Sequence, residues 1–341
     1  MHVDIVRYKP DPNAPLLFNE TEHLKLVDLD EVTDRWLRDQ CRSQSTALIL
    51  TSGWREKRYC RALKHTKNPS VVMVDNPFRG NIRQRLASVF ASSGLQQCFS
   101  HAWVTGHSSY ELMRRLGFHP QQILDGLYVG AQSRSSRSTG ITCTEPHAVG
   151  EKSRRSNTLL YAGRLKAWKG LRELVDVFET VVERLDQPWK LRIAGRGELY
   201  EELAHLGTQN TEFLGFLHPD ELQREMMNAK VFCLASWDEH WGVAVHEAAQ
   251  NGLPLLLSDG VRSGESFLID GYNGYEFRAG DNESLRVSLT RLLSEQSEAL
   301  LRMGRRSLAL SERITVEQWA AKVWRLATTQ LEDFGQNGVM V

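Results

Sequence analysis

Apolar residues in the C-terminal half alternate between two spacings. Short continuous runs with the length of buried strands occupy 158–162, 189–194, 212–215, 231–235 and 253–257. From Leu171 to Leu185, apolar residues fall at offsets 0, 3, 4, 7, 10, 11 and 14, which is the spacing of one helix face. Further helices are predicted at 198–206, 219–228, 243–251, 282–294 and 297–310, with a turn at 271–274. Strands that alternate with helices predict a parallel sheet.

The N-terminal half shows the same alternation less regularly. Predicted strands lie at 2–7, 46–51, 70–74, 97–104 and 121–129, and predicted helices at 29–42, 55–66, 82–91 and 108–116. Residues 131–157 hold six serines and four arginines without an apolar period, which is typical of a linker or a mobile loop. A chain of 341 residues is long enough for two domains. We therefore predict a first domain, a linker, a second domain and a C-terminal helix with a tail, over 1–130, 131–157, 158–314 and 315–341.

Composition narrows the class of protein. Hydrophobic content of 41% and charged content of 25% are globular values. No run approaches the roughly eighteen apolar residues of a membrane-spanning helix, and the N-terminus lacks the basic and apolar segments of a signal peptide. The five cysteines are scattered and form no C-x-x-C pair. That argues against a disulfide framework or a zinc site and predicts a reducing cytoplasm.

The formal net charge of zero conceals an uneven distribution. Residues 1–155 carry a charge of +7 and the remainder −7, and the basic segment from Arg55 to Arg85 holds nine basic and two acidic residues. This segment is either an ordinary solvated face or a surface that meets anionic lipid head groups or a phosphorylated acceptor. A nucleic-acid-binding module is not predicted, because the overall charge is balanced and no such motif is present.

The stretch 236–259, S-W-D-E-H-W-G-V-A-V-H-E-A-A-Q-N-G-L-P-L-L-L-S-D, follows one predicted strand and leads through a helix into the next. Its loop is expected at the carboxyl end of the sheet, where open α/β folds bind ligands. Glu239 precedes the helix and Glu247 follows eight positions later, while Gly242 marks a helix start whose free N–H groups can hold a phosphate. Spacing alone leaves open that Glu247 only decorates the helix surface. His246 is expected to be structural.

A second motif, G-R-L-K-A-W-K-G at 163–170, places two cations before a helix. Arg164 can donate two N–H groups to a phosphate and Lys169 supplies a point charge. A capping role fits poorly, because the helix dipole disfavours cations at that end. Both side chains are expected to line an open cleft. In the G-R-G turn at 195–197, Tyr200 replaces the third glycine of a dinucleotide-binding loop, which argues against NAD.

These motifs resemble those of one enzyme family. E-H-W-G-V-A-V-H-E followed by A-A-Q-N-G-L-P resembles the E-x7-E signature of retaining, GT-B-fold family 4 (group 1) glycosyltransferases, and 163–170 matches their G-R-x-x-x-x-K-G. The resemblance implies an α/β fold of two Rossmann-like domains with a C-terminal helix that crosses back to pack on the first, a role that Trp319 and Trp324 would suit. The first domain resembles the family's acceptor domain less clearly. It is shortened, lacks the customary glycine-rich loop, and has Asp75-Asn76 where a histidine is common.

The resemblance also implies roles for particular residues. Arg164 and Lys169 would act on the diphosphate and Glu239 on the donor sugar, and these three form the catalytic set. The implied donor-binding residues are Gly163, Gly195, Gly215, Phe216, Leu217, His240, Trp241, Gly242, Val243 and Glu247, the last on the ribose. His240 and Trp241 stand where Pro and Phe are more common. On the acceptor side the implied residues are Gly53, Asp75, Asn76 and Arg79.

The sequence thus predicts a retaining, metal-independent hexosyltransferase with no cofactor. Its donor would be a UDP- or GDP-linked sugar and its acceptor a saccharide or lipid-linked saccharide, in surface polysaccharide or glycolipid biosynthesis. No metal site is predicted, because the histidines lack metal-ligand spacing and no D-x-D sequence accompanies the motifs. We expect a cytoplasmic protein, with peripheral contact to the inner face of an anionic membrane. The alternatives are a nucleotide-sugar 2-epimerase of the same fold and a non-catalytic nucleotide-sugar-binding subunit.

Overall fold

A computed structural model describes residues 3–7, 21–64, 66–82, 84–85, 92–130, 155–205 and 208–336, and among these the side chains of 92, 93 and 329–336 are excluded. The predicted helix at 82–91 and the linker at 131–157 lie mostly outside the described residues. The proposed domain boundaries therefore stay predictions.

The C-terminal half forms one sheet of six parallel strands, in the order β12-β11-β10-β7-β8-β9. Its strands are β7 (Thr158–Ala162), β8 (Lys190–Ala194), β9 (Thr211–Gly215), β10 (Val231–Leu234), β11 (Leu255–Ser258) and β12 (Gly274–Phe277). Its helices are α5 (Leu171–Val182), α6 (Tyr200–Ala204), α7 (Pro219–Asn228), α8 (Val243–Gln250), α9 (Gly264–Phe267), α10 (Asn282–Leu293) and α11 (Ser297–Ser311). The predicted apolar face of α5 is buried against this sheet, as its spacing requires.

The N-terminal half holds a smaller parallel sheet in the order β3-β4-β5-β6, and β1 pairs with β2 in a separate parallel ribbon. The strands are β1 (Val3–Arg7), β2 (Leu24–Asp28), β3 (Ile49–Thr51), β4 (Ser70–Val74), β5 (His101–Val104) and β6 (Ile123–Leu124). The helices are α1 (Asp34–Arg42), α2 (Lys57–Leu63), α3 (Ser92–Leu95) and α4 (His107–Arg115).

Several elements differ from the sequence prediction, and three of them have a clear physical reason. Strand β2 was not predicted, because its burial depends on pairing with β1 rather than on a long apolar run. The helix predicted at 29–42 is divided into a 3-10 turn and α1, because Val32 is extended and Thr33 caps α1 by accepting a hydrogen bond from the Trp36 amide. Strand β12 begins at the end of the predicted turn. A Cβ at Gly274 would lie 1.9 Å from the Leu255 carbonyl oxygen, so only glycine lets β12 pair there.

The last helix, α12 (Val316–Gln336), crosses back to the N-terminal sheet, as predicted. The Trp319 ring stacks on Trp103 of β5 with centroids 5.0 Å apart, and its indole N–H donates to the Leu127 carbonyl. Lys322 donates to the carbonyl and carboxylate of Asp125. The sequence also predicted a packing role for Trp324, which is wrong, because that side chain is 65% exposed. No helix in the described residues is long and apolar enough to cross a membrane.

Candidate active site

The two predicted motifs meet at the carboxyl edge of the six-stranded sheet. The loop after β7 ends at Gly170, which has a φ of 63° and lies so close to the loop after β10 that a Cβ would be 2.2 Å from the Ala235 carbonyl oxygen. Similarly, a Cβ at Gly195, after β8, would lie 1.9 Å from the Gly163 carbonyl oxygen. Because a side chain would separate these loops, the glycines are what permit their close approach.

An ion pair joins the two motifs. The Lys169 ammonium contacts Glu239 Oε2, and Ser236 Oγ donates to the same oxygen across 3.4 Å. Lys169 is only 6% exposed, so the expectation that it lines an open cleft is wrong. Its aliphatic stem is enclosed by packed loops, and Glu239 covers the charge. Arg164, by contrast, is exposed and therefore accessible to a soluble anion.

A buried tyrosine supports the loop that carries Arg164 and Lys169. Tyr161 of β7 is fully buried, and its hydroxyl donates to the Arg164 carbonyl across 3.3 Å. Burial, assisted by the negative charge of Glu239, raises the pKa of Tyr161, so the phenol stays neutral and keeps donating. This bond supports the backbone from which the Arg164 side chain projects.

Gly242 is the N-cap of helix α8 and has a left-handed φ of 89°. The helix carries Glu247 on its second turn. Glu247 is half-buried, and Gly130, the last described residue of the N-terminal half, lies against it. A Cβ at Gly130 would be 3.1 Å from Glu247 Cγ. The ribose role of Glu247 stays a prediction, as does the part that the Gly242 and Val243 amides take in holding the donor.

His246, next to Glu247, is structural as the sequence predicts. It is fully buried, with Nδ1 accepting from the Gly130 amide at 2.9 Å and Nε2 lying 3.0 Å from the Ser311 carbonyl. The first contact requires an unprotonated Nδ1, so the ring proton sits on Nε2 and donates to Ser311. Burial lowers the pKa of His246 to about 4, which keeps it neutral. One side chain thus ties α8 to Gly130 and to the end of α11.

The predicted donor-binding residues after β8 and β9 are brought together. Gly195 donates its amide to the Gly215 carbonyl at 2.7 Å. Phe216 is half-buried and meets His218 edge-to-face at 5.4 Å, while Leu217 packs on the core. This arrangement leaves one aromatic face at the sheet edge where the nucleobase is predicted to lie.

The Trp241 side chain faces the N-terminal half. It is 2% exposed, packs edge-to-face on Phe267, and would be 2.8 Å from a Cβ at Gly106, just before α4. Its indole N–H has no hydrogen-bond partner among the described residues. The donor-binding role implied for Trp241 can therefore involve its backbone, while its ring contributes to the contact between the two halves.

The acceptor-side residues are also located. Asp75 follows β4 and lies 3.7 Å from Nδ1 of His240, and Tyr128 donates to its other oxygen at 3.3 Å. The contact between Asp75 and His240 lowers the pKa of Asp75 and raises that of His240. Arg79 is exposed and Asn76 half-buried. Gly53, after β3, has no atom of another residue within 4 Å of where its Cβ would lie, so open space adjoins it.

Four contributors were assigned no role from the sequence: Tyr128, Asp238, Ser108 and Glu265. Asp238 pairs with Arg79 at 2.5 Å, and Ser108 donates its amide and its hydroxyl to Glu265. Asp238 lies beside Glu239 in the C-terminal half, which carries a net negative charge. The charge distribution could therefore have suggested that Asp238 pairs with a cation of the positively charged N-terminal half. The other three carry no pattern of their own.

Among the described residues, no group of three or more His, Cys, Asp or Glu side chains is arranged to hold a metal ion. One D-x-D sequence does occur, Asp28-Leu29-Asp30, at the end of β2. Its central residue is buried, and the Leu29 carbonyl accepts from Arg58 at 3.1 Å. This segment therefore serves the packing of the N-terminal half.

Comparisons with known proteins agree with this geometry. Residues 144–308 match the family model described as glycosyl transferases group 1. A poly(glycerol-phosphate) alpha-glucosyltransferase of Bacillus subtilis is 27% identical over 177 residues, which cover 50% of this chain and 26% of the relative. A GDP-mannose:cellobiosyl-diphosphopolyprenol alpha-mannosyltransferase of Xanthomonas oryzae is 35% identical over 109 residues, covering 30% and 28%. The chain thus spans about a quarter of the length of these relatives.

Solved structures extend the similarity to both halves. Anabaena Alr3699/HepE in complex with UDP and glucose superposes with a TM-score of 0.63 over 92% of this chain and 86% of that one, at 14% identity. Such an identity shows the fold alone. Similarity to the glycosyl transferases group 1 family is thus limited to residues 144–308. The chain as a whole has the GT-B fold of two Rossmann-like domains with a C-terminal helix crossing back to the first.

Proposed function

We propose that this chain transfers a sugar from a nucleoside-diphosphate sugar to a hydroxyl of a saccharide or lipid-linked saccharide, with retention and without a metal ion. The observation that carries the proposal is the pairing of Lys169 with Glu239 at the carboxyl edge of the six-stranded sheet, on a loop that also carries exposed Arg164. The family match of the same segment supports it.

In the proposed reaction, the bond from the anomeric carbon to the phosphate oxygen breaks, and a bond to the acceptor oxygen forms on the same face. The acceptor's proton moves to the departing phosphate oxygen, so no separate base is required. Negative charge grows on that oxygen as the bond breaks, and Arg164 and Lys169 stabilise it more in the transition state than in the ground state. Lys169 has three N–H donors, so it can hold a phosphate while remaining bonded to Glu239.

The names of these relatives favour polymer or lipid-linked acceptors. One acts on poly(glycerol-phosphate) and another on cellobiosyl-diphosphopolyprenol with GDP-mannose as donor. We accordingly place the reaction in surface polysaccharide or glycolipid synthesis, at the cytoplasmic face of a membrane, with either UDP or GDP as the leaving group. The epimerase alternative is not favoured, since these relatives are transferases. Intact Arg164, Lys169, Glu239 and Glu247 argue against a non-catalytic subunit.

A panel of UDP- and GDP-sugars, incubated with the protein in EDTA, tests the proposal. We expect release of the nucleoside diphosphate from one donor, faster when a saccharide acceptor is present, because side chains rather than a metal neutralise the leaving group. The anomeric configuration of the product, read by NMR, should equal that of the donor. Turnover that appears only after Mg²⁺ or Mn²⁺ is added would contradict metal independence, and a changed sugar without diphosphate release would identify an epimerase.

The proposal also includes a contact between the basic segment and an anionic membrane. The basic segment provides five exposed cations on and around α2, which are Arg55, Lys57, Arg61, Lys64 and Lys67. Arg58, which the sequence places in the same segment, is not available. It is 24% exposed and bonds to Asp34 and to the carbonyls of Leu29 and Val32, so it holds α1 to α2.

Replacing Arg55, Lys57 and Lys64 together by Glu is expected to abolish sedimentation with vesicles rich in anionic lipid, because each cation contributes about 1 kcal/mol at such a surface. Wild-type binding should fall as salt rises. The same reversal at Arg224, Arg302 and Arg305, exposed on the other domain, is the matched control. Donor hydrolysis should be unchanged in both variants. If the wild type fails to sediment with vesicles, the acceptor is soluble and the basic segment is an ordinary solvated face.

A further inference from the structure

Two charged contacts span the cleft on either side of Glu239. Arg79, on the loop after β4, pairs with Asp238 at 2.5 Å. The same guanidinium nitrogen lies 3.1 Å from Nε2 of His240, whose Nδ1 faces Asp75 at 3.7 Å. Because arginine only donates, Nε2 must accept, so the ring proton sits on Nδ1 and is directed toward Asp75. We call Asp75, Arg79, Asp238 and His240 the bridge.

The bridge holds the residues immediately before and after Glu239. The Glu239 backbone is fixed on its other side, where its amide donates to the Gly260 carbonyl at 2.9 Å and its carbonyl accepts from the Arg262 amide at 3.2 Å. The N-terminal domain and the loop after β11 thus restrain the same peptide from opposite directions. Glu239 can keep its carboxylate on Lys169 only while this peptide stays in place.

A second set of contacts holds the end of the same loop. Trp241 packs against Gly106, and the Glu265 carboxylate accepts the amide and hydroxyl hydrogen bonds of Ser108, at the start of α4. These contacts link the same two domains but touch neither neighbour of Glu239. The loop is therefore held to the N-terminal domain at two places, of which the bridge is the one adjacent to the reacting centre.

We propose that Arg79, with Asp75, positions Glu239 for sugar transfer by holding Asp238 and His240 across the cleft. This inference rests on the proposed function. Arg79 and Asp238 are each 43% exposed in their side chains, so their ion pair adds little to folding stability. Its effect is geometric, since a displacement of about 1 Å at a reacting group can cost roughly a hundredfold in rate. When the cleft closes over an acceptor, the same contacts therefore fix the position of the Glu239 carboxylate.

A double-mutant cycle on Arg79 and Asp238 tests the proposal. We expect Arg79→Ala and Asp238→Ala each to lower kcat about tenfold, and the double variant to lose no more than Arg79→Ala alone, because both remove one contact. The Kd for UDP or GDP should be unchanged, since Arg164, Lys169 and Glu247 are untouched. Exchanging the two residues, Arg79→Asp with Asp238→Arg, should restore part of the rate.

Hydrogen–deuterium exchange of the segment 236–242 supplies a readout that does not depend on activity. We expect about tenfold faster exchange there in Arg79→Ala. The matched control is Arg172→Ala, which removes an ion pair of the same length and similar exposure, to Glu202, within the donor domain. That variant should change neither exchange in this segment nor kcat.

Additive losses in the cycle, unchanged exchange in Arg79→Ala, or faster exchange with wild-type kcat would each overturn the proposal. Equal losses in kcat and nucleotide affinity would overturn it as well, since Arg79 would then serve general stability. If the wild type turns over no nucleotide sugar while exchange still rises in Arg79→Ala, the proposed function fails. The bridge would then stand as a conformational contact without the catalytic role.

Discussion

Replacing Lys169 with alanine is expected to lower kcat about a hundredfold or more, which is the scale for losing one preorganised group that stabilises developing charge. Lys169 is buried and already oriented by Glu239, so it needs no rearrangement when charge grows on the leaving oxygen. Arg164→Ala is expected to have a similar effect on kcat. The measurement is nucleoside diphosphate release under saturating donor.

Folding must be separated from chemistry in this experiment. Lys169→Ala leaves the Glu239 carboxylate, 19% exposed, without its cation, and breaking such a pair can cost about 3–5 kcal/mol when it is fully buried. Thermal unfolding should therefore accompany the assay. Arg164→Ala avoids the problem because its side chain is exposed, and Lys166→Ala, in the same loop but paired with Glu198, is the matched control. Near-wild-type turnover in either Lys169→Ala or Arg164→Ala would exclude the diphosphate assignment.

The two carboxylates of the E-x7-E motif are expected to act on different parts of the donor. Glu247→Gln should weaken binding of free UDP or GDP about tenfold to a hundredfold, because a charge-assisted hydrogen bond contributes about 1.5–3 kcal/mol. Glu239→Gln should leave free nucleotide binding unchanged or tighter, since it releases Lys169 from its ion pair. It should instead impair binding of the sugar-bearing donor.

Calorimetry with the nucleoside diphosphate and with the intact nucleotide sugar distinguishes these outcomes. Glu198→Gln, which changes an exposed carboxylate near the same edge, is a suitable control. Parallel losses for both ligands in both variants would show that the two glutamates do not divide the donor as proposed.

The sequence by itself predicted most elements of the C-terminal domain, although strand β12 and helix α9 were missed. The five apolar runs and the helices between them were predicted within a few residues, and strand β7 and helix α7 were predicted with the bounds that the structure shows. The reason is that both faces of a parallel sheet are buried, so its strands appear in the sequence as continuous apolar runs. Both motifs directly follow predicted strands, and parallel strands present their carboxyl ends at one edge of the sheet.

Elements that depend on a distant partner could not be predicted in this way. Strand β2 is stabilised by β1, and Trp319 rather than Trp324 packs because of how α12 rotates onto β5. Arg58 reads as one cation in a basic run, yet its contacts with Asp34 make it part of the packing of α1 on α2. For each of these elements, the neighbouring sequence is compatible both with the observed contact and with its absence.

Within the candidate site, the sequence determined which residues are present and the tertiary structure decided their partners. Lys169 and Glu239 were both singled out, but their pairing follows from the close approach of two loops at Gly170, where a Cβ would lie 2.2 Å from the Ala235 carbonyl oxygen. The contact of Arg79 with Asp238 joins residues 159 positions apart in different domains. Such contacts depend on how two separately folded sheets are packed together by the crossing helix, and no spacing along the chain records that arrangement.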